Sequence, residues 1–302
     1  MSRIVHALAA ASLVFFGTQA QAQPQQDFSK VEVKTIDLGH GLYMLAGAGG
    51  NVTVAVAPEG VIMIDDQFAP MSAKLKAAIA SVSHAPVRYL INTHFHGDHT
   101  GGNANFAKEG AVIVAQENLR KRLAGGAVNA EGRPAPAQPA AALPVVTFAD
   151  SMKLQLGDKT AEVTHMAPAH TDGDSYVYFR AENVLATGDL FSSTRFPNID
   201  VRNGGGIDGM IASANKLLTV VNDSTQVVPG HGPLAKKGDI AAFRDMLQTS
   251  RDRVAKLIAD GKTEDQSVQA KPLADLEVKR SSDDENTERF TRLVYQSLKA
   301  HS

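Results

Sequence analysis

Apolar residues in this chain first gather in short blocks. "VEVKTIDL", "GLYMLAG", "NVTVAVAP" and "GVIMIDD" are rich in β-branched residues and separated by glycine or proline, which predicts four strands. "MSAKLKAAIASVSH" then changes to helical spacing, and "VRYLINT" and "GAVIVAQ" return to strand, followed by a helix over "ENLRKRLAG" that ends at glycine. Residues 125–144, "GGAVNAEGRPAPAQPAAALP", have no apolar period and read as a long surface loop or lid. A second strand series follows: "PVVTF", "SMKLQL", "KTAEVTHM", "DSYVYFR" and "NVLATGD". After it come a helix over "GMIASANKLLTVV", a strand at "TQVVPG", a long helix over "IAAFRDMLQTSRDRVAKLIADG", and a last helix capped by serine near "SSDDENTERF". Strands precede helices in two similar halves. That order predicts an α/β (α+β) architecture of two sheets packed face to face with helices outside.

The N-terminus follows a different rule. "MSRIVHALAAASLVFFGTQAQAQ" has one arginine, an apolar core from Ile4 to Phe16 and a small-x-small site ending at Ala22. It reads as a signal peptide over residues 1–22, removed after Ala22, and so predicts a periplasmic or secreted protein. The core is too short to cross about 30 Å of hydrocarbon, and no later segment is long enough, so stable membrane insertion is not expected. Residues 23–302 then form a single domain with a helical C-terminal extension over about 236–302.

Composition narrows the chemistry. A charged share of 21% and 43% hydrophobic residues are those of a globular protein. A net charge of −2 gives no electrostatic case for a nucleic-acid partner. The absence of cysteine excludes disulfides and thiolate metal sites. Nothing in the sequence speaks to the oligomeric state.

The densest chemistry lies in "NTHFHGDHTGG", residues 92–102, directly after a predicted strand. Alternate residues of an extended segment point the same way, so His94 and His96 can present their rings to one point. Gly97 permits a turn, after which Asp98 and His99 face a second point nearby, and Thr100 can cap the helix that follows. Two such points a few ångströms apart suit a dinuclear hydrolase. Further donors stand just beyond strands, in loops containing glycine: His170 in "APAHTDGDS", Asp189 in "LATGDLF" and His231 in "VVPGHGP". Five of the chain's ten histidines belong to this set. His40, His84, His165 and His301 fit no such pattern.

"HFHGDH", His170, "TGD" at Asp189 and "PGHG" at His231, in that order over roughly residues 31–235, resemble the ordered motifs of the metallo-β-lactamase superfamily. The resemblance implies an αββα sandwich of two mixed sheets with metals at one edge. It also implies a small-molecule substrate and two zinc ions per chain. His94, His96 and His170 would hold one ion, Asp98, His99 and His231 the other, and Asp189 would bridge them. Imidazole and carboxylate donors suit zinc, and also manganese or iron. Asp65, at the end of "VIMID", corresponds to an acid that supports the metal ligands from behind. Asp98 would be the catalytic residue, orienting a metal-bound nucleophile and passing its proton on.

The resemblance leaves the substrate open. A secreted zinc-dependent hydrolase of a carboxylic amide, lactam or ester, with β-lactamase-like activity, is the leading expectation. Aspartate at 189, where dedicated β-lactamases usually carry cysteine or serine, resembles the hydroxyacylglutathione hydrolases and lactonases, so a thioesterase or lactonase is the alternative. A non-catalytic metal-binding relay module is a third, which closed structural sites would favour and an open seven-ligand site does not. Arg195, Arg202 and Asn203, in "FSSTRFPNIDVRNGGG", are candidates for binding a substrate carboxylate.

Overall fold

In a computed structural model, residues 27–129, 131–166, 168–277 and 283–300 are described. The leader predicted over residues 1–22 lies outside the described residues. So do His301 and the serines expected to cap the last helix.

The predicted strands form, but "PVVTF", read as the opening strand of the second series, pairs parallel to "GAVIVAQ" and so joins the first. The first builds a seven-stranded sheet in sequence order: β1 (Lys34–Gly39), β2 (Leu42–Ala46), β3 (Val52–Ala57), β4 (Gly60–Ile64), β5 (Val87–Ile91), β6 (Val112–Gln116) and β7 (Val146–Phe148). The first three connections are short and the pairs antiparallel. From β4 onward the pairs are parallel, because each connection is a crossover. These crossovers carry α1 (Ser72–Ala80), then α2 (Gly97–Thr100) with α3 (Asn103–Ala107), then α4 (Glu117–Lys121).

The second sheet has the order β12-β11-β10-β9-β8. Its strands are β8 (Ser151–Leu156), β9 (Lys159–His165), β10 (Ser175–Phe179), β11 (Val184–Ala186) and β12 (Gln226–Val228). Only β11 and β12 are parallel, joined through α5 (Ile207–Val220). The C-terminal part adds α6 (Lys237–Ala259), α7 (Glu264–Gln269), α8 (Ala274–Glu277) and α9 (Asp284–Ala300).

Period-two alternation sorts the side chains into layers. In β2, Leu42 and Met44 enter the core between the sheets, whereas Leu45 joins the outer cluster with Leu75 and Ile79 of α1 and Phe106 of α3. In β10, Val177 and Phe179 face inward, and Tyr176 and Tyr178 pack against the helices on the other side. That side is covered by Met210 and Leu217 of α5, Phe243 of α6, and Phe290 and Val294 of α9. Each such side chain contributes about 1.5–3 kcal/mol by leaving water. The result is helix, sheet, sheet, helix.

One local expectation needs correction, and one helix was not expected. Thr100 does not cap a helix: it lies inside α2, and its hydroxyl donates to the Phe95 and His96 carbonyls. At the start of α9 the Asn286 N–H donates to Asp283 Oδ1, next to the serines that lie outside the described residues. Helix α7 was not anticipated, although its Thr263/Gln266 capping box is readable in "TEDQ".

The 125–144 segment is folded back on itself. Val128 bridges Pro134, the Ala135 N–H donates to the Ala127 carbonyl, and the Gln138 N–H donates to the Leu123 carbonyl. Ala127 and Ala142 are buried while most of the intervening residues are exposed.

Candidate metal centre

Strand ends bring the predicted donors to one edge of the sandwich. His94, His96, Asp98 and His99 follow β5, His170 follows β9, Asp189 follows β11 and His231 follows β12. Their donor atoms form three overlapping groups: His94, His96 and His170; His94, His99 and Asp189; Asp98, His99 and His231. Within the first, His96 Nδ1 lies 2.9 Å from His170 Nε2. Within the third, His231 Nε2 lies 3.5 Å from His99 Nε2 and 3.3 Å from Asp98 Oδ2. Asp189 stands between them, with Oδ1 3.2 Å from His99 Nε2 and 3.4 Å from His231 Nε2, and Oδ2 3.4 Å from His170 Nε2.

The other nitrogen of four of these rings is held from behind. His94 Nδ1 meets Thr93 Oγ1 at 3.1 Å, and His96 Nε2 meets Asp200 Oδ2 at 2.9 Å. His99 Nδ1 meets Asp65 Oδ2 at 2.7 Å, and His170 Nδ1 donates to the Asn198 carbonyl at 2.8 Å. Such partners fix ring orientation and leave the opposite nitrogen as a donor to a cation. Asp65 also accepts from the Thr93 N–H and hydroxyl, both at 2.7 Å. Its φ of 61° is left-handed, a conformation that aspartate tolerates better than most residues.

Backbone must come close for this packing. A Cβ on Gly50 would stand 2.1 Å from the His99 ring, and one on Gly230 2.0 Å from Asp189 Oδ1. Only glycine fits at either position. Asn51, next to Gly50, ties the loop to the His231 segment by donating to the Pro229 and Gly232 carbonyls.

The donor set fits a cation on two grounds. His94 Nε2 and Asp189 Oδ1 are buried without a hydrogen-bond partner, which is costly for atoms of that kind. Among the side chains alone, protons fill the role of a positive charge. Burial opposes ionisation of Asp189, yet the charges of His231, His99 and His170 hold it well below the ordinary carboxylate range. Burial would lower His231, but Asp189 and Asp98 raise it to about 9. Asp98 is held at about 2 against burial, by its hydrogen bond to His231 and the His99 charge. Burial, reinforced by the His99 charge, pushes His94 well below its ordinary value, leaving a neutral imidazole. Metal ions displace protons from donor sets of this type.

A cleft of about 220 Å³ opens over the cluster. Asp98, Asp189 and His231 lie at its floor, and Arg195 and Arg289 line it as well. Arg202 is exposed, lies near Gly132 of the folded-back loop and does not line the cleft. Asn203 is buried, and its amide is spent on the Val128 backbone and Asp200. Neither reaches the cleft, because the chain turns away from it after Asn198 into the 3-10 turn at Val201–Asn203. A larger cavity, about 320 Å³, lies beside α1 and contains His84 but none of the cluster.

Sequence reasoning missed Thr93, Asn198, Asp200 and Arg289. Thr93 was findable, being adjacent to His94. The others carry no local signal, since Asp200 is 104 residues from the histidine it touches.

The sequence profile of the metallo-beta-lactamase superfamily matches residues 45–231, more than half of the chain and spanning every donor named above. The chain belongs to the metallo-β-lactamase superfamily. Among curated proteins, it is 28% identical over 213 residues to a hydroxyacylglutathione hydrolase of Polaromonas sp., covering 67% of this chain and 72% of that one. It is 24% identical over 238 residues to a linear primary-alkylsulfatase of Pseudomonas sp., and spans only 44% of that protein. A metallo-beta-lactamase from Pontibacter korlensis superposes with a TM-score of 0.61 at 19% identity, over 72% of this chain and 99% of the other. A stereoselective inverting sec-alkylsulfatase from Pseudomonas sp. gives 0.65 at 16% identity, over 87% of this chain and 50% of the other. At these identities the superpositions show a shared fold, and this superfamily member has the metallo-β-lactamase αββα sandwich.

Proposed function

We propose that this superfamily hydrolase is a dinuclear zinc enzyme that acts outside the cytoplasm on a carboxylic amide, lactam or ester. The observation that carries the reading is Asp189, whose two oxygens reach toward two separate histidine groups. In this assignment His94, His96 and His170 hold one ion, and Asp98, His99 and His231 the other, with Asp189 between them. Bound there, zinc supplies Lewis acidity and lowers the pKa of a water molecule to about 7. Asp98 is ionised at neutral pH and lines the cleft, so its carboxylate would orient the attacking water, accept the proton that water loses and pass that proton to the leaving group. Asp65, Thr93, Asp200 and the Asn198 carbonyl keep the imidazoles from rotating.

The same aspartate favours a second reading within this chemistry, a thioester or lactone substrate. The similarity to a hydroxyacylglutathione hydrolase supports it. Extracytoplasmic action rests on the leader sequence, and no helix among the described residues is long and apolar enough to cross a membrane. The test is elemental analysis of the purified protein together with hydrolysis of nitrocefin, a thioester and a lactone. About two zinc ions per chain with turnover of one of these supports the proposal. One ion or none after zinc reconstitution, or no turnover of any of the three, overturns it.

A further inference from the structure

Two histidines of one donor group, His96 and His170, are braced by the same short loop, and that loop also grips a distant piece of the chain. The Asn198 carbonyl accepts from His170 Nδ1, and nearby Asp200 Oδ2 meets His96 Nε2 at 2.9 Å. Further along the loop, Asn203 is 1% exposed, yet every polar position of its amide is used. Its nitrogen donates to Asp200 Oδ2 at 2.7 Å and to the Val128 carbonyl at 2.8 Å. Its oxygen accepts from the Val128 N–H at 2.8 Å and from Arg122 Nη1 at 3.3 Å. An asparagine side chain has no further donors or acceptor positions to offer. The Asn203 N–H also donates to Asp200 Oδ1 at 3.2 Å. Asn203 therefore grips both carboxylate oxygens and fixes the one that faces His96. On the far side, Val128 bridges Pro134, and the Ala135 N–H donates to the Ala127 carbonyl at 2.9 Å. A cavity of about 230 Å³ separates this pairing from the metal loop, with Ala127, Ala135 and Pro136 on one side and Phe95, His96 and Thr100 on the other. Docking of Val128 thus rests on the Asn203 clamp rather than on close packing.

We propose that Asn203 is a positioning residue that couples the metal centre to the docking of Val128. An ion held by His94, His96 and His170 fastens Val128 through His96, Asp200 and Asn203, and a docked Val128 tightens the hold on that ion. The proposal rests on the reading that these three histidines hold an ion. One nitrogen of the His96 ring faces the donor group and the other faces Asp200. An ion that fixes the ring therefore also fixes Asp200 Oδ2 as the acceptor for the Asn203 amide. Hydrogen bonds in series polarise one another, and partners behind a ligand imidazole change metal affinity about 10–100-fold. Binding free energies are reciprocal, so the factor by which docking raises zinc affinity is the factor by which zinc favours docking. A merely structural Asn203 would hold Val128 equally well with or without zinc.

The test measures zinc affinity by chelator competition in the wild type, Asn203→Ala, Ala135→Pro, the double variant of these two, and His96→Ala. Hydrogen exchange at the Val128 and Gln138 amides is followed alongside, at buffered zinc levels from chelated to saturated. Ala135→Pro removes the N–H that pairs with Ala127, and so loosens Val128 from the end away from Asn203. Asn203→Ala and Ala135→Pro are each expected to weaken one zinc-binding step about tenfold, within the range for partners behind a ligand. The double variant is expected to weaken it no further, because both changes cut the same link. In the wild type, zinc is expected to slow exchange at both amides by about the same tenfold factor, as reciprocity requires. In Asn203→Ala, zinc should leave Gln138 exchange unchanged. Exchange that is independent of zinc in the wild type overturns the coupling, and that measurement needs no variant to fold. Additive losses in the double variant overturn it as well. His96→Ala separates the two readings. If it alters no zinc-binding step, the ion assignment fails and the coupling with it. If it weakens zinc while Asn203→Ala and Ala135→Pro bind like the wild type, the coupling alone is overturned.

Discussion

Asn203→Ala is expected to release the 127–139 loop rather than to weaken a substrate contact. The side chain accepts from the Val128 N–H at 2.8 Å and from Arg122 Nη1 at 3.3 Å. It donates to the Val128 carbonyl at 2.8 Å and to Asp200 Oδ2 at 2.7 Å. A neutral hydrogen bond contributes about 0.5–1.5 kcal/mol net, and one to a charged group about 1.5–3. Val128 is only half-buried, so water can replace its two bonds, and Arg122 keeps its pairing with Asp172. Taking low values for these reasons, the four bonds together amount to about 2–4 kcal/mol. The loss should appear as local opening, because the loop contributes little to the main cores. At a tenfold change per 1.4 kcal/mol, amides of the loop should exchange about 30 to 700 times faster. Hydrogen exchange followed by mass spectrometry reads this on peptides covering residues 127–139, where Ala135 and Gln138 are the protected reporters. The urea midpoint should move by less than the local effect. Unchanged exchange in this segment, combined with a raised KM, would refute the reasoning and return Asn203 to the substrate.

Other expectations follow from single contacts. Asp65→Asn replaces an acceptor of three hydrogen bonds with a group that must donate to one of them, and should weaken zinc binding by about 10–100-fold in a chelator competition. Asp98→Asn should cut turnover by about a hundredfold or more while leaving the urea midpoint nearly unchanged; a near wild-type rate with metal bound would remove Asp98 from the mechanism. Phe290→Ala empties a fully buried site stacked on Phe196, which should cost about 3–5 kcal/mol in urea unfolding. After metal removal, His231 has a folded pKa of about 9 against its ordinary 6.5, a raised value. Its stabilisation is complete below 6.5 and disappears as pH rises through about 9. The urea midpoint of the chelated protein should therefore fall between pH 7 and 9.5, and fall less in His231→Ala.

The sequence by itself determined what local patterns can carry. Alternation in "GLYMLAG" and "DSYVYFR" put one set of side chains on each sheet face, and that is how β2 and β10 pack. Donors such as His170 and His231 were legible because they stand in glycine-containing loops directly after strands, where backbone direction changes and side chains are free to converge. Tertiary structure decided everything that depends on which loops meet. Asp200, Asn198 and Asn203 are three polar residues of one loop, alike in sequence, yet one braces His96, one braces His170 and one holds the 127–139 segment. Arg289 has the character of any charge on the solvent side of an amphipathic helix, and only the stacking of Phe290 on Phe196 turns that side toward the cleft. Periodicity reports the face a residue occupies on its own element. The partner that face meets, about a hundred residues away, is set by packing of the whole, and no local pattern encodes it.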